Sequence, residues 1–219
     1  MSAKEVRKNL FSGVVFFVIL ALSASSLRAA IITIDITAEI SDVDDLGGLL
    51  EGLVNVGDII TGSYTYDSAT PDSDPLETGG SYDYFSEFYG ISLSVSGFVF
   101  QTDPDNVDFR IDILNNHLGQ DGYVLRSYHN LPLSNGVLID YISWQLDDYS
   151  CTALSSDALP TTPPVLEDWE SIGGITIDFG YKGSSMIRAH VTSAELVPEP
   201  ATVFLLGLGA LALLRKRRG

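Results

Sequence analysis

The hexapeptide Ile32-Thr33-Ile34-Asp35-Ile36-Thr37 alternates strictly between apolar and polar residues. A β-strand points successive side chains to opposite faces, so it gives such a segment one side for a core and one for water. The same period of two returns at residues 91–96 (ISLSVS), 107–113 (VDFRIDI) and 175–179 (ITIDF). Residues 59–67 (IITGSYTYD) and 186–196 (MIRAHVTSAEL) are looser versions, and 123–128 (YVLRSY) and 137–146 (VLIDYISWQL) bring the candidate strands to eight or nine. Turn pairs such as Asn135-Gly136 and Asp121-Gly122 separate them. No stretch of ten or more residues carries a helical period, although residues 43–53 have room for one turn or two. The polar run SATPDSDPLETGG (68–80) reads as a loop inserted at one end of the fold. This pattern predicts an all-β domain, an antiparallel β-sandwich of which the jelly roll is one form.

Charge divides the chain further. Residues 31–197 hold 27 acidic residues against four basic ones, Arg110, Arg126, Lys182 and Arg188, a formal charge of −23. Such a surface repels nucleic acid and anionic lipid, keeps an exported domain soluble and attracts divalent cations. The other eight basic residues all lie near the two ends. At the N-terminus Lys4, Arg7 and Lys8 precede thirteen mostly apolar residues, Leu10 to Leu22, and then the small residues of SASSLRAA. That is the layout of a secretory signal peptide cut between Ser26 and Ala30, and the segment is short for a retained anchor. Cys151 is the single cysteine, so no disulfide can form within the chain.

The C-terminus is organised in three parts. Val197-Pro198-Glu199-Pro200 comes first, and its prolines, lacking an amide donor, end any regular element and leave Glu199 in an extended linker. Val203 to Leu214 is a run of twelve uncharged residues, about 18 Å as a helix, short of the ~30 Å of a bilayer core. Including Ala201, and with the side chains of Arg215, Lys216, Arg217 and Arg218 snorkelling, it makes a marginal transmembrane helix whose basic end belongs in the cytoplasm. The domains read as signal peptide 1–30, β-sandwich body 31–196 and tail 197–219.

This order of Pro-Glu-Pro, apolar helix and basic cluster closely resembles the PEP-CTERM sorting tail of Gram-negative and related bacteria. The resemblance implies export through the secretion translocon and transient anchoring in the inner membrane with the body outside the cytoplasm. It further implies recognition by an exosortase, a membrane peptidase that removes the tail and sends the body to the cell surface or beyond, in bacteria that make extracellular polysaccharide. A plain tail anchor is the alternative. The run GSYTYDSATPDSDP (62–75) is similar to segments in the bodies of such proteins and implies only an exported β-rich domain.

The body shows no strong catalytic signature. There is no G-x-S-x-G elbow and no zinc motif, and His190, in line with Arg188 and Thr192, reads as solvent-facing. His117 and His129 sit near turns. Asp103, Asp105 and Asp108 crowd one loop and are candidate calcium ligands, without the glycine and distant glutamate of an EF-hand. Tyr82 and Tyr84 in the aromatic segment SYDYFSEFYG, with Trp169 between two acids, are candidate sugar-stacking rings, whereas Trp144 reads as core. The expectation is a non-enzymatic surface or extracellular-matrix protein associated with polysaccharide. The alternatives are a calcium-dependent glycan-binding module or a secreted hydrolase with a carboxylate pair.

Overall fold

The structure, a computed structural model, describes residues 31–198. The body is all-β and antiparallel, and the described residues include no α-helix. Its strands are β1 (Ile31–Asp44), β2 (Ile59–Asp67), β3 (Gly79–Tyr84), β4 (Gly90–Val95), β5 (Phe98–Gln101), β6 (Phe109–His117), β7 (Gln120–Ser127), β8 (Ile139–Asp148), β9 (Ser171–Phe179) and β10 (Ser185–Leu196). A single 3₁₀ turn, Leu166–Asp168, precedes β9. In place of the two stacked sheets of a sandwich there is one ten-stranded sheet, ordered β3-β6-β7-β8-β9-β10-β1-β2-β4-β5.

That sheet curls over its own core. On β1 the residues Ile32, Ile34, Ile36, Ala38 and Ile40 are all buried, with their polar neighbours turned outward. Tyr64 of β2 meets the ring of Trp144 of β8 at 5.8 Å between centroids, and its hydroxyl shares a 2.9 Å hydrogen bond with that of Tyr123 on β7. Strands far apart in sheet order therefore face each other, which a flat sheet would forbid. The bends come from irregular registers: β1 and β10 slip past each other between Thr37 and Ala38 and again between Ile40 and Asp42, as bulges do. Burial pushes the hydroxyls of Tyr64, Tyr66 and Tyr123 to high pKa.

Two expectations are corrected here, and two strands absent from the alternating segments, β3 and β5, are added. Residues 43–53 form no helix: β1 runs to Asp44, and the chain then turns through Gly47, Gly48 and Gly52 at positive φ. Both carboxylate oxygens of Asp45 accept amides of that turn, from Leu49 at 2.7 Å and Leu50 at 3.0 Å. The loop from Ser68 ends earlier than predicted, because Gly79 and Gly80 already belong to β3. β5 was hidden by its four-residue length, although the Ser96-Gly97 pair before it, at φ 50° and 87°, is a tight hairpin turn.

Gly174 shapes the part of the fold nearest the tail. At φ +81° it turns β9 away from β10, whose shared ladder ends at Ile175 and Ala189. A Cβ on Gly174 would lie 2.2 Å from the Ala189 carbonyl oxygen, so no other residue fits this departure.

Candidate functional site

The sorting tail leaves the body with no intervening linker. Leu196, the last residue of β10, pairs with Ile34 of β1, and the Val197 amide still donates to the Thr33 carbonyl at 2.9 Å. Pro198 follows, exposed, and its missing amide ends the ladder there. Because β1 and β10 are antiparallel neighbours, the body begins and ends at the same end of the sheet. Glu199, Pro200 and the basic cluster Arg215, Lys216, Arg217 and Arg218 lie outside the described residues, as do the signal peptide and the predicted transmembrane segment. Among the described residues no helix is long and apolar enough to cross a membrane.

A second feature spans the outer face of the sheet. Register brings Asp83, Arg110, Arg126, Ser143, Thr176, Arg188 and Asp42 into one row across seven strands, each opposite the next. Three of the four basic residues of the body thus share one line. Arg110 donates through Nε to Asp83 at 2.6 Å, Arg126 forms an ion pair with Asp112, and Arg188 reaches Asp42 at 3.0 Å. Asp112 also accepts from the Ser81 hydroxyl at 2.6 Å. The bond to Asp83 raises the Arg110 pKa, so this guanidinium is always charged. Beside the row Tyr128 and Tyr141 lie 5.5 Å apart between ring centroids, and Tyr128 is 41% exposed. Burial raises the Tyr128 hydroxyl pKa, while Arg126 and Arg110 pull the other way. The cluster offers aromatic faces beside donors and acceptors whose charges cancel pairwise.

The predicted ring site is not at the surface. Tyr82 and Tyr84 lie on the inner side of β3, 5% and 2% exposed, while Ser81 and Asp83 take the outer side. The Tyr82 hydroxyl donates to the Asp157 carbonyl at 2.9 Å and accepts the Leu159 amide at 3.1 Å; that of Tyr84 donates to the Asp67 carbonyl. Trp169 is also buried: it leaves the 3₁₀ turn Leu166–Asp168 in extended conformation with its indole inward, while Asp168 and Glu170 are exposed. These rings hold loops to the core instead of offering a face to a sugar. Trp144 is core, as expected, and His190 is exposed.

The carboxylates of the predicted calcium loop are not gathered. Asp103 accepts the Asp105 amide at 2.9 Å within its own turn, and Asp108 faces His129 at 3.9 Å. Among the described residues no group of three or more Asp, Glu, His or Cys side chains is placed to hold a metal ion. His117 instead shares a 3.2 Å hydrogen bond with Thr78. The most heavily engaged carboxylates, Asp121 and Asp148, stand opposite each other on β7 and β8 and are fully buried. Asp121 accepts the amides of Asn116 at 2.7 Å and Leu154 at 2.8 Å, stitching two loops together. Burial, and then the charges of Asp121 and Asp148, push the nearby Cys151 thiol up, so the nucleophilic thiolate is disfavoured.

The all-β body runs straight into an exposed Val-Pro element at its C-terminal end. Residues 196–218 match the PEP-CTERM protein-sorting motif, so the chain carries the tail of an exported, transiently membrane-anchored protein processed by an exosortase. No curated protein and no solved structure matches the chain.

Proposed function

We propose that this protein is a non-enzymatic surface or extracellular-matrix component, sorted by an exosortase, that holds uncharged polysaccharide on the outer face of its sheet. The observation that carries this reading is the Tyr128–Tyr141 pair set beside Arg110, Arg126, Asp83 and Asp112. Aromatic faces stack on the apolar faces of sugar rings, and paired Arg and Asp groups exchange hydrogen bonds with hydroxyls. Net neutrality of the patch, within a body of charge −23, favours an uncharged polymer over an acidic one, which the surroundings repel. The buried acids Asp121 and Asp148 are occupied by backbone amides, which supports a structural and not a catalytic use for them.

Retention of the exported protein on insoluble polysaccharide from the producing cells tests this reading. The parent should be retained at high salt as well as low, and the double variant Tyr128→Ala/Tyr141→Ala should bind about tenfold more weakly, as a loss of ~1.4 kcal/mol gives. No retention of the parent, or equal retention of the variant, removes the outer face as the site. Retention lost on adding a chelator would favour the calcium-dependent module. Release of soluble sugar would favour a hydrolase, for which Asp178 is the acid to replace, its pKa raised by burial and by Asp140.

A further inference from the structure

Half of β10 has an open edge, and that half leads directly into the sorting motif. Among the described residues, the strand past Ala189 keeps β1 on one side and has no strand on the other, because Gly174 has carried β9 away. Amides of a strand point alternately left and right. The Val197 amide points to β1, so those of Leu196 and Ala194 point to the open side. The facing wall is the segment from Thr162 to Glu167, and a groove of about 580 Å³ lies between it and Thr192–Glu195. Pro163 and Pro164 on that wall have no amide to give, so this stretch of it cannot donate to the β10 carbonyls. The two ends of the sheet are treated differently. Asp72 and Ser73 bond to Ser81 on β3, and Leu131 donates to Gln101 at the end of β5.

We propose that this groove is a docking site for the processing enzyme, which adds an extended segment of its own chain to β10 at residues 192–196 and so positions Pro-Glu-Pro for cleavage. The proposal rests on the exosortase reading and deepens it. An unpaired strand edge is a template for a further strand, and main-chain pairing there needs no particular sequence. The groove is continuous with the recognised sequence, since the sorting motif starts at Leu196, inside β10. Glu167 and Glu195 at its rim favour an incoming segment with basic side chains.

The test is a pulse-chase of the full chain in its host, following removal of the tail by intact mass. Ala194→Pro removes an outward amide, and the double variant Glu167→Lys/Glu195→Lys reverses the rim charge without touching the backbone. Both leave Pro198, Glu199 and Pro200 in place. Each should slow tail removal at least tenfold relative to the parent, with the melting temperature of the double variant within a few degrees of the parent's. Parent-like processing of both variants overturns the docking groove while leaving the sorting reading intact. A parent that keeps its tail although exosortase is present overturns both. Should Ala194→Pro convert a dimer to a monomer without slowing processing, the edge belongs to a second copy of this chain, and the proposal fails.

Discussion

Gly174→Ala should unfold the body far more readily than any ordinary glycine replacement, costing about 3–5 kcal/mol. Two effects add. A non-glycine residue at φ +81° is strained by about 1–3 kcal/mol. The new Cβ would also meet the Ala189 carbonyl oxygen at 2.2 Å, and that oxygen belongs to the backbone of an interior strand and cannot swing aside. Gly136→Ala is the matched comparison, at φ +85° but with nothing within 4 Å, and should cost only the strain. For a domain of this size each kcal/mol moves the melting temperature by ~2–4 °C, so thermal unfolding of the two variants should differ by several degrees. Equal losses would show that the chain relaxes around Gly174 and that the departure of β9 has another cause.

Asp148 should make the body acid-sensitive. Its carboxylate accepts five hydrogen bonds, from the Ser150 amide and hydroxyl at 2.9 and 2.6 Å, the Thr152 amide and hydroxyl at 2.6 and 3.2 Å, and the Ala153 amide at 2.9 Å. The Ser150 hydroxyl is the leading cause that holds its pKa well below the ordinary carboxylate value. A depressed folded-state pKa means that the ionised form favours folding. The stabilisation is complete above the unfolded value of about 3.9 and is lost as pH falls below it toward the folded value. Asp148→Asn should therefore melt well below the parent at pH 7, because an amide group turns donors toward donors. The gap should narrow as pH drops below about 4. A gap independent of pH would mean that shape, not charge, holds the Ser150–Ala153 turn.

Strand positions were legible in the sequence wherever one face is buried and the other wet. β1, β4, β6 and β9 each overlap a strictly alternating segment, and β2 and β10 a looser one, since period two is a local property of the chain. The arrangement of strands was not, because the order of a sheet is set by contacts between distant residues such as Tyr64 and Tyr123. Trp169 shows the same limit on a small scale: its acidic neighbours suggest exposure, yet the chain leaving the 3₁₀ turn Leu166–Asp168 carries the indole inward while both acids stay exposed. The spacing of Tyr82 and Tyr84 by two matches a strand, and β3 puts both on its buried face. The outer row of arginines needed six registers before its members became neighbours, so no reading of the chain alone could assemble it. The sorting tail is the opposite case, since its information is linear, and the order of its three parts was enough.

The most direct test of the account is the intact mass of the protein recovered from its native host with and without the exosortase. With the enzyme, the mass should correspond to a chain that has lost everything after the Pro198 to Pro200 region; without it, the tail should persist. A full tail in both cases would make residues 201–214 a stable anchor and the body a membrane-tethered domain, and the sorting account would be wrong.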